Sequence, residues 1–346
     1  PYSNGNRSII SDMYRSLLLL VLFLSQVSFV QKPGLKIFRL EGYAQGTTYH
    51  ITYYHTRAII KQASIDSILN GIDSSLSLYK TYSLINRFNN SQEGITTDHY
   101  LKTVVAKSIE INKETDGLFD VTVQPLVEAW GFGVRHPDRL PDSARISALL
   151  QCVGGNKIQL RANHLHKTKP CVKIDLNGIA QGYSADILAD FLRSKGIRNF
   201  LAEIGGELVV SGRRQPSGEK MTVGIESPGN DPYEPAPYQR IVRLDHGALT
   251  TSGNYRKFYE SGAKKINHLI NPHTGYSFQN ELISVTVWAK DGITADGYDN
   301  ALMGMGLKKA MEFVEKKKDM GAYFIYITPD GIVRDTATRA FYTLLQ

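Results

Sequence analysis

Cysteine is almost missing from this 346-residue chain, with Cys152 and Cys171 the only two. Neither has a neighbouring His or the close spacing of a zinc site, which excludes a cysteine-built metal centre. A disulfide and a pair of buried thiols remain as equal alternatives. Also lacking are a repeat of fixed period and a low-complexity linker, so solenoids and strings of small modules are excluded. There is no G-x-S-x-G elbow and no Walker A sequence, which leaves serine hydrolases of that type and P-loop NTPases without support. Long runs of one charge are absent too. The net charge of +7 is spread over scattered Lys and Arg, so anionic partners such as phosphates are favoured and nucleic acid is not expected.

What is present suffices for a sizeable core: 42% of residues are hydrophobic and 21% charged. One long apolar run stands out near the start. Met13-Tyr14-Arg15, then Leu17 to Leu24 with a weaker continuation to Val30, reads as an export signal or N-terminal anchor. The run is short of the about 20 residues that span a membrane comfortably. Ser25-Gln26-Val27-Ser28 is a poor cleavage site and no Cys follows, so an uncleaved tether fits and attachment of a lipid through Cys does not. Residues 1–33 are thus expected to be upstream sequence plus leader, and 34–346 one catalytic unit. The expected location is exported: periplasmic or at the outer face of the inner membrane.

Periodicity predicts strands at Thr48 to Tyr54, Lys157 to Leu160, Val172 to Leu176, Phe200 to Ile204, Leu208 to Ser211, Thr222 to Glu226, Ile241 to Leu244, Ile283 to Ala289 and Tyr323 to Thr328. Helices are expected at Ala58 to Ser75, Tyr100 to Glu114, Ser184 to Ser194 and Asp296 to Lys318, and a surface loop at Ser227 to Pro237. The elements follow no strict βαβ rhythm, which points to an α+β fold rather than a doubly wound parallel sheet.

Three segments carry chemistry. Val172 to Asp186 runs from a strand through Asn177-Gly178 into a helix, a junction whose backbone N–H groups suit a phosphate or serve packing alone. In Thr294 to Asn300, Asp296 and Asn300 are i and i+4 on one helical face, with Asp299 adjacent. Hard oxygens without His or Cys suit magnesium or calcium, while the plainer alternative is that Asp296 caps a helix. In His268 to Gly275, preceded by Thr250-Thr251-Ser252-Gly253, His268 can accept a proton from a hydroxyl and the hydroxyl cluster can bind phosphate; an ordinary Asn-Pro turn is the alternative. Gly304-Met305-Gly306 falls inside an expected helix and makes a poor dinucleotide fingerprint.

In order along the chain, Gly46-Thr47-Thr48-Tyr49, Leu76-Ser77-Leu78-Tyr79 with Ser83 and Asn89, and Gly117 to Leu126 leading to Trp130-Gly131-Phe132-Gly133 come first. Asp175 to Asp186, Glu203 to Glu207, Thr251-Ser252-Gly253, His268 to Gly275 and Thr294 to Gly306 follow. Together they resemble the ApbE family of FAD:protein FMN transferases over nearly all of the chain after the leader. The resemblance implies a T-fold-like α+β architecture with mixed or antiparallel sheets, FAD as substrate in a cleft, and a Mg2+ ion bridging protein oxygens and the pyrophosphate. Carried over by position, the ion would be held by the Gly178 carbonyl, Asp296, Asn300 and Asp299. FAD contacts would come from Gln45, Tyr79, Leu118, Phe119, Asp120, Asp175, Gln181 and Leu269. Three positions depart from the family's habit, which is Met at Gln45, Lys at Gln181 and Thr at Asn300.

The expected reaction is attack of an acceptor protein's Ser or Thr hydroxyl on the FMN-side phosphorus, with AMP leaving, Asp296 holding the ion and His268 taking the proton. The family-level expectation for the acceptor is a membrane redox complex subunit. Hydrolysis of FAD to FMN and AMP, and FAD carriage without turnover, are the alternatives.

Overall fold

The computed structural model describes residues 34–134, 137–228, 238–255, 258–261 and 264–345, and the export segment expected at 13–30 lies outside them. Residues 36–346 form one compact unit. Its first hairpin shows how local chemistry sets the frame. Strands β1 (Lys36–Ala44) and β2 (Thr47–His55) are joined by Gln45 and Gly46 alone, both at positive φ of 54° and 76°. That two-residue turn matches the right-handed twist of paired strands. Tyr49, Ile51 and Tyr53 then face the core from alternate positions of β2.

Helices α1 (Gln62–Leu76), α2 (Leu84–Asn90) and α3 (His99–Glu114) follow, with β3 (Gly94–Thr96) between the last two. Ser83 and Asp98 cap α2 and α3 by accepting the N–H groups of Asn86 and Leu101. Next come α4 (Gln124–Ala129), α5 (Ser143–Leu150), β4 (Ile158–Arg161), β5 (His164–Lys167) and α6 (Ala180–Ser194). A strand-rich stretch supplies β6 (Phe200–Ile204), β7 (Glu207–Ser211), β8 (Met221–Glu226), β9 (Tyr238–Leu244), β10 (His246–Gly253), β11 (Phe258–Ser261), β12 (Lys264–Asn267) and β13 (Leu282–Ala289). The chain ends with α7 (Gly292–Met305), α8 (Leu307–Val314), β14 (Met320–Ile327), β15 (Val333–Ala337) and α9 (Arg339–Tyr342).

Eight strands make the main sheet in the order β1-β2-β6-β7-β10-β13-β14-β15, with every pairing antiparallel. One face carries the larger core, which includes residues of α1, α3, α6 and α7; the other packs Leu208, Val210, Tyr323 and Ile325 beneath β8, β9 and Phe341. Central strands buried on both faces read as continuous apolar runs, which explains Leu208-Val209-Val210 and Tyr323-Phe324-Ile325. The α+β expectation holds.

Three expectations about elements are corrected. The helix expected from Ala58 starts at Gln62, because the Ile59 and Ile60 N–H groups donate to Tyr53 Oη instead. The long helix expected over Asp296 to Lys318 starts earlier, at Gly292, and breaks at Gly306, whose φ of 73° ends α7 and begins α8. Gly304 and Met305 are therefore helical while Gly306 is not. The strand expected at Val172 to Leu176 does not join a sheet. Asn89 pairs with both backbone groups of Ile174 (2.8 and 2.9 Å), and Asp175 N–H donates to Val121 O. The segment is extended, but a side chain takes the place of a neighbouring strand. Between the two alternatives for the cysteines, the structure has the disulfide, with Cys152 and Cys171 Cα atoms 5.6 Å apart.

Candidate active site

The site is built where α6 and α7 cross. Gly182 of α6 and Gly292 of α7 touch backbone to backbone, and a Cβ added to either would stand 2.3 Å from the other's carbonyl oxygen. Only glycine at both places permits that approach. The crossing brings the chain before α6 against the middle of α7: Asn300 Nδ2 donates to Gly178 O at 3.3 Å across 122 residues of sequence. One turn away, Asp296 Oδ2 accepts the N–H of Gly182 at 2.8 Å.

Asp296 is thus no helix cap. It is the fifth residue of α7, and the cap is Asp291, whose Oδ1 accepts Thr294 N–H. Asp296 and Asp299 are 4% and 1% exposed, so both carboxylates are fully committed to the interior. Burial first, and Asp186 second, raise the pKa of Asp296; burial first, and Asp296 second, raise that of Asp299. Thr250 Oγ1 donates to Asp299 Oδ2 at 2.7 Å, but among the described residues no Lys, Arg or His is paired with either carboxylate.

Two neighbouring buried carboxyl groups, both with raised pKa, with a carbonyl beside them and no protein cation, fit a hard divalent ion. No cluster of three His, Cys, Asp or Glu side chains is present among the described residues. The donor set consequently needs Gly178 O and the amide of Asn300. That amide now points Nδ2 at Gly178 O, Asp296 O and Asp299 Oδ1, with Oδ1 accepting from Ser252 Oγ at 3.2 Å. A hydroxyl can accept as well as donate, so turning the amide over keeps the Ser252 bond and presents an oxygen to the ion.

Around this cradle lies an open cleft of about 1130 Å³. It gathers every residue assigned above to FAD or the ion: Gln45, Tyr79, Leu118, Phe119, Asp120, Asp175, Gln181, Leu269, Gly178, Asp296, Asp299 and Asn300, together with His268. Not all have side chains free for a ligand. Asp120 Oδ1 accepts both the N–H and the hydroxyl of Thr122, which fixes the 3-10 turn Val121–Val123. Gln45 bonds to Ser184 Oγ of α6. Tyr79 stands exposed at the cleft wall. His268 leads out of β12 with its ring 6.3 Å from that of Phe132, edge to face.

The ApbE family profile matches residues 45–324, which is most of the compact unit and includes both halves of the cradle. The chain belongs to the ApbE family. Among its relatives, the FAD:protein FMN transferase of Vibrio cholerae serotype O1 is 34% identical over 322 residues, covering 91% of this chain and 94% of the relative. The protein of the same name from Haemophilus influenzae is 33% identical, covering 88% and 90%. The solved structure of Flavin Transferase ApbE from Vibrio cholerae superposes with a TM-score of 0.81 over 90% of this chain and all of that one. Pseudomonas stutzeri flavinyl transferase ApbE, apo form, gives 0.80 at 30% identity, covering 90% and 97%.

Within the ApbE motifs, the structure gives three residues partners that sequence reading had not assigned to them. Thr250 and Ser252 reach Asp299 and Asn300 from β10, although Thr250-Thr251-Ser252-Gly253 had suggested phosphate contacts. Glu207 also lines the cleft and raises the pKa of Asp299. Nothing in spacing links positions 207 and 299; the packing of α7 on β7 and β10 brings the two regions together.

Proposed function

We propose that this ApbE-family chain transfers FMN from FAD to a Ser or Thr hydroxyl of an acceptor protein and releases AMP. The observation that carries the reading is the approach of Gly178 O to the Asp296–Asn300 face of α7, inside a cleft lined by all the residues expected to meet FAD. Gly178 O, Asp296, Asp299 and Asn300 would hold a magnesium ion. When bound, the ion supplies positive charge to the pyrophosphate oxygens as the bond to AMP breaks. The protein's own part is positional. Phe119 and Leu269 offer apolar surface, Gln181 offers an amide, and His268 Nδ1 or Nε2 takes the proton of the attacking hydroxyl. The new bond is acceptor oxygen to the FMN phosphorus; the broken one joins that phosphorus to the bridging oxygen, which departs with AMP.

Incubation with FAD, magnesium chloride and a candidate acceptor distinguishes the possibilities by product. Protein-bound flavin with AMP supports transfer, free FMN with AMP indicates hydrolysis, and unchanged FAD indicates carriage. A folded Asp296→Ala protein should lose transfer by about a hundred-fold or more, and His268→Ala should slow it about a hundred-fold with FAD still bound. Wild-type labelling by either variant removes that residue from the mechanism.

The working place is proposed to lie outside the cytoplasm, periplasmic or at the outer face of the inner membrane. The Cys152–Cys171 disulfide supports this, since such bonds persist in oxidising compartments. The acceptor would then be a membrane redox subunit exposed on that side. No helix among the described residues is long and apolar enough to cross a membrane. The apolar run at Leu17 to Leu24 would serve as the tether.

A further inference from the structure

Helix α7 begins with N–H groups that need partners outside its own first turn. Its cap, Asp291, serves Thr294 through Oδ1 and Ala295 through its carbonyl. The N–H groups of Gly292 and Ile293 go to a different helix: Asp186 of α6 accepts them, one on each carboxylate oxygen, at 2.7 and 2.8 Å. One carboxyl group thus closes the N-terminal end of α7 while anchored elsewhere in the chain. Gly182 and Gly292 meet one turn from Asp186, where neither tolerates a Cβ. Asp296 then takes Gly182 N–H, and Asn300 reaches Gly178 O. The contacts form one line, Asp186 to Gly292, Gly182 to Asp296, Gly178 to Asn300, and Asp186 is its fixed end.

We propose that Asp186 is the positioning residue that sets the register of α7 against α6 and so holds the two halves of the cation cradle at binding distance. It touches neither the ion nor FAD; its role is exerted through the start of α7. The inference rests on the reading of Gly178, Asp296, Asp299 and Asn300 as a cation site. Replacing Asp186 by Asn leaves one acceptor oxygen and turns an NH2 toward an N–H group that needs an acceptor. The start of α7 must then shift, and Asp296 moves with it.

The test is titration of the apo protein with magnesium chloride in a calorimeter, alongside FAD binding in EDTA followed by flavin fluorescence. For Asp186→Asn, magnesium affinity should fall about 10- to 100-fold, as for other residues that orient ligands. FAD affinity without metal should stay within about two-fold of wild type. Gly182→Ala, which forces the same helices apart from the other side, should give the same pair of results. Asp186→Glu retains the charge and both acceptors, so it should recover part of the lost affinity, and it stands in should the Asn variant not fold. Unchanged magnesium affinity in folded Asp186→Asn overturns the proposal, as does an equal loss of FAD binding in EDTA, which marks a general structural role. If wild-type protein itself binds no magnesium, the cation reading beneath it fails instead.

Discussion

Lys167 shows what a single residue does for this site without touching it. It is 7% exposed, and its Nζ donates to the carbonyls of Phe88, Asn89, Pro170 and Val172 at 3.0 to 3.4 Å. Two of these are closing carbonyls of α2, where a cation is favoured, and two belong to the segment leading to Asp175. Burial first, and Lys173 second, push its pKa down to about 8, so at neutral pH the ammonium is still charged. Lys167→Met should therefore cost about 2–3 kcal/mol by orphaning buried acceptors, read as a lower midpoint in urea unfolding. A midpoint equal to wild type would show that the carbonyls find other donors. Nothing in the sequence marked this lysine, because its partners are backbone carbonyls, two of them in a helix nearly eighty positions away. Asp296, Asn300 and His268, by contrast, stood out by residue type and spacing, each beside a plainer alternative that only the family resemblance set aside.

At the scale of elements, the segment 172–176 illustrates where pattern reading stops. Val172, Ile174 and Leu176 alternate as in a strand and are buried as in a strand. What the pattern could not convey is that Asn89 and Lys167, rather than a neighbouring strand, satisfy the backbone. The same stretch begins at Cys171, whose disulfide to Cys152 closes a loop holding β4 and β5. Removing the bond by the double change Cys152→Ser and Cys171→Ser should destabilise the protein by about 3 kcal/mol. Urea unfolding with and without reductant checks it: wild type should lose stability on reduction and the variant should not. An equal response of both proteins would mean the bond contributes nothing. Helix α7 was legible as a helix, but its start was not, since the partner that closes its N-terminus lies on α6.

For the whole molecule, the buried carboxyl groups set a pH dependence whose sign can be worked out. Burial, opposed by the two α7 N–H groups, pushes Asp186 up to about 7 from an ordinary 3.8, and Asp296 and Asp299 are raised in the same direction. Between those limits the folded state binds more protons than the unfolded, so metal-free protein should lose stability as pH rises from about 4 to about 7. Magnesium requires the ionised carboxylates, so its stabilising effect should grow over the same range. Thermal unfolding at pH 5.5 and 8, with and without magnesium chloride, checks both. A larger magnesium effect at pH 5.5 would contradict the assignment.

The fold class and the composition of the cleft were legible because hydrophobic period and motif order survive in the sequence. The contacts that make the cleft a site were not, because they join residues from 48 to 122 positions apart. The most direct measurement of that convergence is anomalous diffraction from crystals soaked with FAD and manganese, a scattering substitute for magnesium with the same taste for oxygen ligands. The account predicts one peak within coordination distance of Gly178 O and the Asp296 carboxylate, beside the diphosphate. A peak elsewhere, or FAD bound with no metal at that point, would contradict it.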